Sequence, residues 1–396
     1  MQAIKIKKNI YWVGAIDWQI RNFHGYSTPE GTTYNAYLII DKKITLIDTV
    51  KKEFAPEMLA RIASVINPEK IDYIISNHVE MDHSGSLPMI LEKTPNALIY
   101  TSDPAGHKGL LKHFQKEWAF KAVKSNETLN TGEYNFKFIQ TPMIHWPDNM
   151  VCYLEEEQIL FSNDSFGQHL ASSERFSAEL PLPIILENAK KYYANIVMPY
   201  GEQVQRALSL LQNLTIQLIA PSHGLIWNHE NIPQLLKAYD TWSKNETEKK
   251  ALIIYDTMWG STEKIAYLIQ EVFEAKGIKT ELLNLRVNHI SDIMTKVLTA
   301  KYLCVGSSTL NLQFLPTVGG FLTYLRGLFP KNRIGLAFGS YGWRASSIEQ
   351  IEAELTKIEA KLLPNIKVNY IPDDSTLSSI KANLENALKE SQSQNE

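Results

Sequence analysis

The sequence contains only two cysteines, Cys152 and Cys304, which lie far apart and form no CxxC pair. This scarcity argues against a disulfide framework and against a zinc site built from thiolates, so any metal must be held by nitrogen and oxygen ligands. No apolar run approaches the roughly 18 to 20 residues that a membrane helix needs. The first residues also lack a secretory signal pattern, and we therefore expect a cytoplasmic protein with no membrane partner.

Long runs of lysine and arginine are missing as well. The formal net charge is -3 and the isoelectric point is near 6.4, so the sequence predicts no binding to nucleic acid or to an anionic membrane surface. Neither GxxxxGK[ST] nor GxGxxG occurs. Their absence disfavours a nucleoside triphosphate P-loop and a dinucleotide Rossmann site. Small molecules and other proteins remain as partners.

The 396 residues are enough for two domains, and the polar stretch TWSKNETEKK at 241–250 is the predicted linker. We place the domains at 1–248 and 249–396. In the first, YLII and ITLID flank a turn at 41–43, and VCYLEEEQILFSND has the pattern of a hairpin. Helical patterns such as PEMLARIASVI lie between the strands. This mixture predicts an αββα sandwich, in which two sheets pack between helices.

The second domain alternates strand and helix patterns. Its strand candidates are ALIIYD, KTELLNL, KYLCVGS, RIGLAFGS and KVNYIP, and a helical pattern follows each. Five strands in this alternation predict a doubly wound parallel sheet of the flavodoxin-like α/β type, whose ligands bind at the carboxyl ends of the strands. The polar tail SQSQNE is expected to be disordered.

The stretch NHVEMDHSG places His78, Glu80, Asp82 and His83 within six residues, directly after the buried-strand candidate IDYIIS. One such histidine in a polar loop would most simply be structural. Four potential ligands on a loop at the end of a strand indicate a coordination site held by a rigid element.

Three further candidates, His145, Asp164 and His223, each follow an apolar strand-like run in the same half of the chain. Any one of them alone would more often be structural, but together they favour a composite metal site. Seven ligands are too many for one tetrahedral ion and suit two ions, with Asp164 as the natural bridge. Zinc, manganese and iron all remain compatible with these ligands, although the share of carboxylates favours iron or manganese.

The motif His78-x-Glu80-x-Asp82-His83 resembles the HxHxDH signature of the metallo-β-lactamase superfamily, with a carboxylate where the hydrolases carry their second histidine. With His145, Asp164 and His223, the pattern is similar to that of the flavodiiron proteins. The resemblance implies two non-haem iron ions, and it assigns their ligands. One iron would be bound by His78, Glu80 and His145, the other by Asp82, His83 and His223, and Asp164 would bridge them.

Three loops at predicted strand ends of the second domain contain hydroxyls, glycines and aromatic rings. Hydroxyls and backbone amides at a helix N-terminus form an anion site, although Ser and Thr there are also ordinary helix caps. Glycines allow close approach to a flat ring, on which Tyr341 or Trp343 would stack unless these rings are buried in the core. The loops resemble those of flavodoxin and are predicted to bind the phosphate and isoalloxazine ring of FMN. Their residues are Thr257, Met258, Trp259, Gly260, Ser261 and Thr262, then Ser307, Ser308, Thr309 and Asn311, then Gly339, Ser340, Tyr341, Gly342 and Trp343.

The family resemblance covers nearly the whole chain and implies a reaction. Dioxygen would be reduced to water, or nitric oxide to nitrous oxide, with electrons from an external donor such as rubredoxin passing through FMN. The resemblance also implies a head-to-tail homodimer or a dimer of dimers. His24 and Tyr193 would line the gas pocket, and Tyr192 fits the pattern as well as Tyr193.

Two alternatives belong to other functional classes. A binuclear zinc hydrolase fused to an electron-transfer module would use a metal-bound hydroxide as its nucleophile, but Glu80 argues against it. A non-catalytic FMN carrier would use the first domain as a degenerate binding scaffold. Degeneration usually removes ligands, and all seven are present.

Overall fold

The computed structural model describes residues 1–393 and divides into two compact units. The first unit contains Met1–His24, Thr28–Tyr192 and Glu202–Asp240. The second begins its main body at Thr241 and also includes the short segments Gly25–Ser27 and Tyr193–Gly201. The boundary predicted at 248/249 falls at the start of a strand, a few residues inside the second unit.

Two sheets form the centre of the first unit. One has seven strands in the order β1-β2-β7-β8-β9-β10-β11, and the other has six in the order β12-β13-β14-β15-β16-β17. Strands β3 and β6 pair separately. The first seventeen strands of the chain are β1 (Ile4–Lys7), β2 (Ile10–Trp12), β3 (Ala15–Asp17), β4 (Asn22–Phe23), β5 (Tyr26–Ser27), β6 (Thr32–Tyr34), β7 (Tyr37–Ile39), β8 (Ile44–Ile47), β9 (Ile71–Ser76), β10 (Leu98–Ser102), β11 (Phe120–Val123), β12 (Thr128–Asn130), β13 (Asn135–Gln140), β14 (Met150–Leu154), β15 (Ile159–Asn163), β16 (Leu218–Pro221) and β17 (Trp227–Asn228).

The core between these sheets is built from alternate residues of facing strands. Phe136, Phe138 and Phe161 of the second sheet pack with Tyr37 and Ile75 of the first. The opposite face of the first sheet is covered by helices, so the side chains on both of its faces are buried. The helices of this part of the chain are α1 (Ala55–Ala63), α2 (Met81–Ser84), α3 (Leu87–Lys93), α4 (Ala105–Phe114), α5 (Leu182–Tyr192), α6 (Gly201–Leu211) and α7 (Ile232–Ser243), with 3-10 turns at Lys52–Phe54, Pro68–Lys70, Ser177–Glu179 and Met198–Tyr200 and a π-helix at Tyr193–Val197.

The predicted turn at 41–43 joins β7 and β8, and its Asp41 ties this turn to the loop between β12 and β13. The Asp41 carboxylate accepts hydrogen bonds from Thr131 Oγ1 at 2.7 Å and from the backbone N–H groups of Glu133 and Tyr134 at 2.9 and 3.0 Å. Burial by itself would raise the pKa of Asp41, but these bonds lower the pKa below its usual value. The link holds the two sheets together far from the strand ends that matter for function.

The second unit contains a parallel sheet in the order β19-β18-β20-β21-β22, and β23 also pairs with β21. The predicted doubly wound sheet is therefore confirmed, but its fifth strand is interrupted. The segment 363–365 contains Pro364, which has no N–H group to donate to the ladder, and it separates two short strands. The elements are β18 (Glu248–Tyr255), α8 (Ser261–Ala275), β19 (Lys279–Asn284), α9 (Ile290–Val297), β20 (Ala300–Ser308), α10 (Pro316–Leu328), β21 (Ile334–Tyr341), α11 (Ser346–Lys357), β22 (Lys361–Leu362), β23 (Ile366–Asn369) and α12 (Asp374–Ser393).

The chain's last helix corrects one prediction. Residues 391–393, expected to be disordered, are the end of α12, and residues 394–396 of the predicted tail lie outside the described residues. Across residues 1–393, none of the helices combines the length and apolar character required to span a bilayer.

Candidate metal centre and flavin loops

The seven predicted ligands converge because strand ends of both sheets carry them. His78 and Glu80 lie on the loop after β9, and Asp82 and His83 lie in the short helix α2 to which this loop leads. Asp164 is the first residue after β15, and His223 lies two residues after β16. His145 comes from the loop between β13 and β14. Strands β15 and β16 pair in parallel, so their carboxyl ends bring Asp164 and His223 to the same edge.

The first ligand group consists of His78, Glu80, His145 and one oxygen of Asp164. His145 Nε2 lies 3.2 Å from Glu80 Oε2 and 3.3 Å from Asp164 Oδ2. His78 Nε2 lies 3.4 Å from the same Glu80 oxygen and 3.6 Å from Asp164 Oδ2. Two imidazole nitrogens therefore face the same two carboxylate oxygens.

The second ligand group consists of Asp82, His83, His223 and the other oxygen of Asp164. Asp164 Oδ1 lies 2.9 Å from His83 Nε2 and 3.5 Å from His223 Nε2. Asp82 directs Oδ1 to His83 at 3.3 Å and Oδ2 to His223 at 3.1 Å. Each oxygen of Asp164 thus faces a different group, which is the geometry of a bridging carboxylate.

These separations fit two metal ions. Two ligand atoms that are each about 2.1 Å from one ion, at an angle of about 100°, lie about 3.2 Å from each other. The nitrogen-to-oxygen distances within the two groups run from 2.9 to 3.6 Å. The ring nitrogen His78 Nε2 and both ring nitrogens of His83 are buried, and within residues 1–393 they have no hydrogen-bond partner. The donor atoms are imidazole and carboxylate alone, which suits iron.

Burial and the neighbouring charges shift the pKa values of the site residues in opposite directions. Burial by itself would lower the pKa of His83, but the carboxylates of Asp164 and Asp82 raise it to about 9. In the same way, Asp164 and Glu80 raise the pKa of His145 to about 9. Burial would raise the pKa of Asp164, but the neighbouring histidines hold it well below its usual value. Metal binding therefore has to displace protons from these imidazoles.

The first group that the sequence reasoning missed, Asp148, orients His78 from behind, and a backbone carbonyl does the same for His223. Asp148 Oδ2 accepts hydrogen bonds from His78 Nδ1 at 2.9 Å and from the backbone N–H of Val79 at 2.8 Å. His223 Nδ1 donates to the carbonyl oxygen of Thr33 at 2.7 Å. In both rings the Nδ1 bond leaves Nε2 directed at the ligand group, as is usual for metal-binding histidines. The only sign of Asp148 in the sequence was its position, three residues after the candidate ligand His145.

A second missed group, Asn35, clamps the loop that carries His223. Its backbone N–H donates to the Ser222 carbonyl at 2.7 Å, and its Nδ2 donates to the carbonyls of Pro221 and Gly224 at 2.8 and 2.9 Å. Its Oδ1 accepts from Trp12 Nε1 at 2.8 Å. The side-chain oxygen and nitrogen of the buried Asn35 are thus both hydrogen-bonded.

A third missed group, Asp48, connects two of the ligand-bearing loops. Its carboxylate accepts from the backbone N–H of Asn77 at 2.8 Å and from the side-chain amides of Asn77 and Asn163 at 3.0 and 3.2 Å. Asn77 immediately precedes His78, and Asn163 immediately precedes Asp164. Asp48 therefore fixes the starting points of two ligands that come from different sheets.

The predicted pocket residues lie in different surroundings. His24 Nε2 is 3.6 Å from Glu80 Oε1, the oxygen of Glu80 that faces away from the ligand group, and the His24 side chain is 77% exposed. Tyr192 is buried, and its ring centroid lies 6.0 Å from that of His223. Tyr193, the residue named first from sequence, packs in the second unit against Trp242, with ring centroids 5.4 Å apart. Of the two tyrosines, Tyr192 is the one beside the ligands.

A buried histidine absent from the predicted set, His169, packs beside the second ligand group. Its ring centroid is 4.8 Å from that of His223, and its Nδ1 lies 2.8 Å from Thr32 Oγ1. Burial, with the neighbouring His223, holds its pKa well below the usual value, so His169 is neutral. It packs as an uncharged ring, and no strand-end signal distinguished it in the sequence.

The three predicted flavin loops meet at one edge of the parallel sheet. The first loop follows β18, whereas the other two begin within the last residues of β20 and β21, and these three strands are neighbours in that sheet. Thr262 Oγ1 lies 3.0 Å from Ser308 Oγ and 3.1 Å from Ser340 Oγ, so one hydroxyl from each loop enters a single cluster at the start of α8. The fifteen-residue helix α8 directs its first N–H groups to the same place. This cluster fits a phosphate group.

The flavin loops contain a glycine at a close approach of two strands and exposed aromatic side chains. A Cβ atom on Gly339 would lie 2.0 Å from the Ser307 carbonyl oxygen, so no other residue fits at that position. Trp259 and Trp343 are 91% and 84% exposed, whereas Tyr341 is half-buried. Trp343 is therefore not a core residue and Tyr341 is not fully buried, contrary to the alternative interpretation of these two rings. All three rings lie on the predicted flavin loops.

Comparison with known proteins gives the same two-part division. The model of the ODP family of beta lactamases matches residues 32–224, and the flavodoxin model matches residues 253–381. The chain is 42% identical to a nitric oxide reductase of Moorella thermoacetica over 94% of both chains. It superposes on the rubredoxin oxygen:oxidoreductase from Desulfovibrio gigas with a TM-score of 0.95, at 40% identity, covering 98% of this chain and 99% of that one. For the flavodiiron protein from Giardia intestinalis the TM-score is 0.94 at 32% identity, covering 98% and 96%.

The chain belongs to the flavodiiron protein family. The αββα and flavodoxin-like predictions and the family resemblance are thereby confirmed. Flavodiiron proteins carry a diiron centre, and the flavodoxin domain implies FMN. The two ligand groups and the hydroxyl cluster of this flavodiiron protein fit those two cofactors, as shown above.

Proposed function

We propose that this flavodiiron oxidoreductase reduces dioxygen to water, nitric oxide to nitrous oxide, or both, at a pair of iron ions. The observation that supports the proposal most directly is the division of Asp164, whose two oxygens face two complete ligand groups. Relatives named nitric oxide reductase and rubredoxin-oxygen oxidoreductase support the two substrates. The iron pair would supply redox chemistry toward a small gas, and FMN would supply electrons singly or in pairs.

The residues have distinct proposed roles. His78, Glu80 and His145 would hold one ion, Asp82, His83 and His223 would hold the other, and Asp164 would be a ligand of both. Asp148 positions His78 through its Nδ1 hydrogen bond. His24, exposed and close to the outer oxygen of Glu80, is placed to pass protons between solvent and the site. Tyr192 closes the site on the side of His223.

The flavin loops hold FMN in the proposed assignment. The hydroxyls of Thr262, Ser308 and Ser340 bind the phosphate with the first amides of α8. Gly339 allows the ends of β20 and β21 to lie close together, and the exposed rings of Trp259 and Trp343 would stack on the isoalloxazine ring from either loop.

The electron donor is proposed to be a separate rubredoxin. The name of the relative rubredoxin-oxygen oxidoreductase supports this choice. The chain cannot supply a rubredoxin site from its own residues, because such a site needs four cysteine ligands and only Cys152 and Cys304 are present, both buried. We also propose a cytoplasmic location and a head-to-tail homodimer or dimer of dimers, on the family resemblance. Analytical ultracentrifugation of active protein that shows only monomers would contradict the dimer.

The decisive experiment measures dioxygen and nitric oxide consumption side by side. Anaerobically purified protein is reduced with rubredoxin and its reductase, and each gas is followed with an electrode. Wild-type protein with about two irons and one FMN per chain is expected to consume at least one gas. Consumption of neither gas by protein with this cofactor content would refute the proposal. Zinc in place of iron would revive the binuclear hydrolase, which the relatives do not favour.

A matched pair of variants tests the ligand assignment. His145→Asn removes a ligand of the first group and is expected to abolish gas reduction while FMN stays bound. His113→Asn makes the same change at an exposed histidine of α4, outside the site, and is expected to retain wild-type rates. Gas reduction by His145→Asn at the rate of the control would instead support the FMN carrier.

A further inference from the structure

A small apolar cavity lies between the outer face of the second sheet and helix α6. Its volume is about 20 Å³. Val151 of β14 and Leu160 of β15 form its floor, because their neighbours Cys152 and Phe161 point to the opposite face, into the core between the sheets. The roof is one stripe of α6, formed by Val204, Ala207, Leu208 and Leu211 at the spacing of a helix face.

One end of this cavity is built by the backbone neighbours of two iron ligands. Ile144, which precedes His145, lines the cavity. So do Ser165 and Phe166, the two residues that follow Asp164. His145 and Asp164 both belong to the first ligand group, with 3.3 Å between Nε2 and Oδ2. The cavity therefore lies directly behind the loops that present this group.

The wall offers little to a water molecule. Two of its polar side-chain atoms are already engaged: Thr141 Oγ1 donates to Asn149 Oδ1 at 3.4 Å, and the Tyr239 hydroxyl accepts from the N–H of Phe166 at 3.0 Å. Ser165 is the third polar residue of a lining that is otherwise apolar. A buried water needs two to four polar partners, and a cavity lined by aliphatic and aromatic side chains stays dry and takes up xenon or small apolar molecules. The volume exceeds the roughly 10 to 15 Å³ needed to hold one water-sized molecule.

We propose that this cavity is a binding site for the uncharged diatomic gas on which the enzyme acts, adjacent to the first ligand group. The inference rests on the proposed function, since it takes dioxygen or nitric oxide to be the substrate. Both gases are nonionic and nearly apolar, and they partition from water into apolar surroundings. The cavity raises the local concentration of the gas beside the metal centre and so lowers the substrate concentration needed for half-maximal rate.

The test combines xenon binding with a cavity-filling substitution. Crystals of wild-type holoenzyme under xenon pressure are expected to show xenon between Leu160 and Leu208. Leu208→Phe extends a side chain of α6 into the cavity and is expected to raise the KM for the gas several-fold, with kcat, iron content and FMN content unchanged. Leu210→Phe is the control, because Leu210 lies on the same helix but is 52% exposed and does not line the cavity.

The outcomes separate this inference from the function on which it rests. Absence of xenon from the wild-type cavity, or a KM for Leu208→Phe equal to that of the control, overturns the inference while gas reduction stands. Xenon in the cavity of a wild-type enzyme that reduces neither gas refutes the proposed function and, with it, the substrate site. Separate KM values for dioxygen and nitric oxide show which gas the cavity serves. If Leu208→Phe does not fold, the xenon result on wild-type protein decides.

Discussion

The hydrogen bond from His78 to Asp148 predicts how strongly the first iron is held. Asp148→Ala removes the carboxylate that accepts from His78 Nδ1 at 2.9 Å and leaves the buried N–H of Val79 without this acceptor. A hydrogen bond to a charged group contributes about 1.5 to 3 kcal/mol. Since about 1.4 kcal/mol corresponds to a tenfold change in binding, iron affinity at the first ligand group should fall about 10- to 100-fold. Asp148→Asn keeps an acceptor but loses the charge, and its loss of about 1 kcal/mol corresponds to about fivefold.

Iron loading under controlled free Fe(II) measures this effect. Metal-free protein is dialysed anaerobically against Fe(II) buffers of increasing free concentration, and iron per chain is determined by elemental analysis. Wild-type protein should reach about two irons per chain, whereas Asp148→Ala should need a higher free Fe(II) concentration for one of them. Mössbauer spectra of samples with one and two irons then show whether the weakened position is the one that contains His78.

The control is Asp41→Ala, which removes another carboxylate that accepts from a hydroxyl and from backbone N–H groups, at a turn that joins β7 and β8. It should leave iron loading at the wild-type level. Loading curves that coincide for Asp148→Ala and wild type would refute the view that the outer hydrogen bond orients His78.

Three more outcomes follow from other contacts. Gly339→Ala should lose FMN, measured by flavin absorbance, because its Cβ atom would overlap the Ser307 carbonyl oxygen. Gly320→Ala is the control, because Gly320 lies in an open position on α10. This variant should retain FMN, and its free energy of unfolding, measured by thermal unfolding, should rise by about 0.5 to 1 kcal/mol. Because the pKa of Asp41 is lowered in the folded protein, its carboxylate stabilises the fold above about pH 4, and this stabilisation is lost as the pH falls through the folded pKa. The difference in Tm between wild type and Asp41→Asn should therefore shrink from pH 6 to pH 3. A difference in Tm that stays constant with pH would contradict this prediction. Asn35→Ala should lower the free energy of unfolding, measured with denaturant, by about 1 to 3 kcal/mol, because it leaves Trp12 Nε1 without its acceptor. The same substitution should lower the free energy of unfolding by less in a Trp12→Phe background. An equal decrease in both backgrounds would show that the bond between Trp12 and Asn35 contributes nothing.

The convergence of the candidate ligands was predictable because the fold places most of them at or near strand ends. An apolar run followed at once by a histidine or carboxylate is visible in the sequence, and parallel neighbours such as β15 and β16 necessarily end at the same edge. The division into two groups does not follow from strand ends and was implied only by the family resemblance, whereas the coordinates show that Asp164 turns one oxygen to each group.

The choice between Tyr192 and Tyr193 could not be made from sequence for a local reason. Tyr192 is the last residue of α5, and Tyr193 begins a π-helical segment. One residue along an α-helix turns the side chain by about 100°, so adjacent tyrosines face different surroundings. The change of helix type at this point is set by packing and leaves no mark in the residue pattern.

The supporting groups were missed because each joins segments that are distant along the chain. Asp148 is 70 residues from His78, and Asn35 is 186 residues from Pro221. Such hydrogen bonds depend on the closed fold, and an Asp or Asn in a loop gives the same sequence signal whether it is buried or exposed. The interrupted fifth strand is different, since Pro364 was visible in the sequence beside KVNYIP.

That interruption has a consequence for how the protein meets other molecules. The edge of the parallel sheet is formed by two short strands, β22 with two residues and β23 with four, rather than by one continuous ribbon. A long open edge is a template onto which a strand of another chain can add, and short strands, proline and lysine all discourage such addition. Lys361 and Lys367 lie on these two strands, on either side of Pro364. This edge of the sheet thus discourages the addition of a strand from another chain and so resists aggregation.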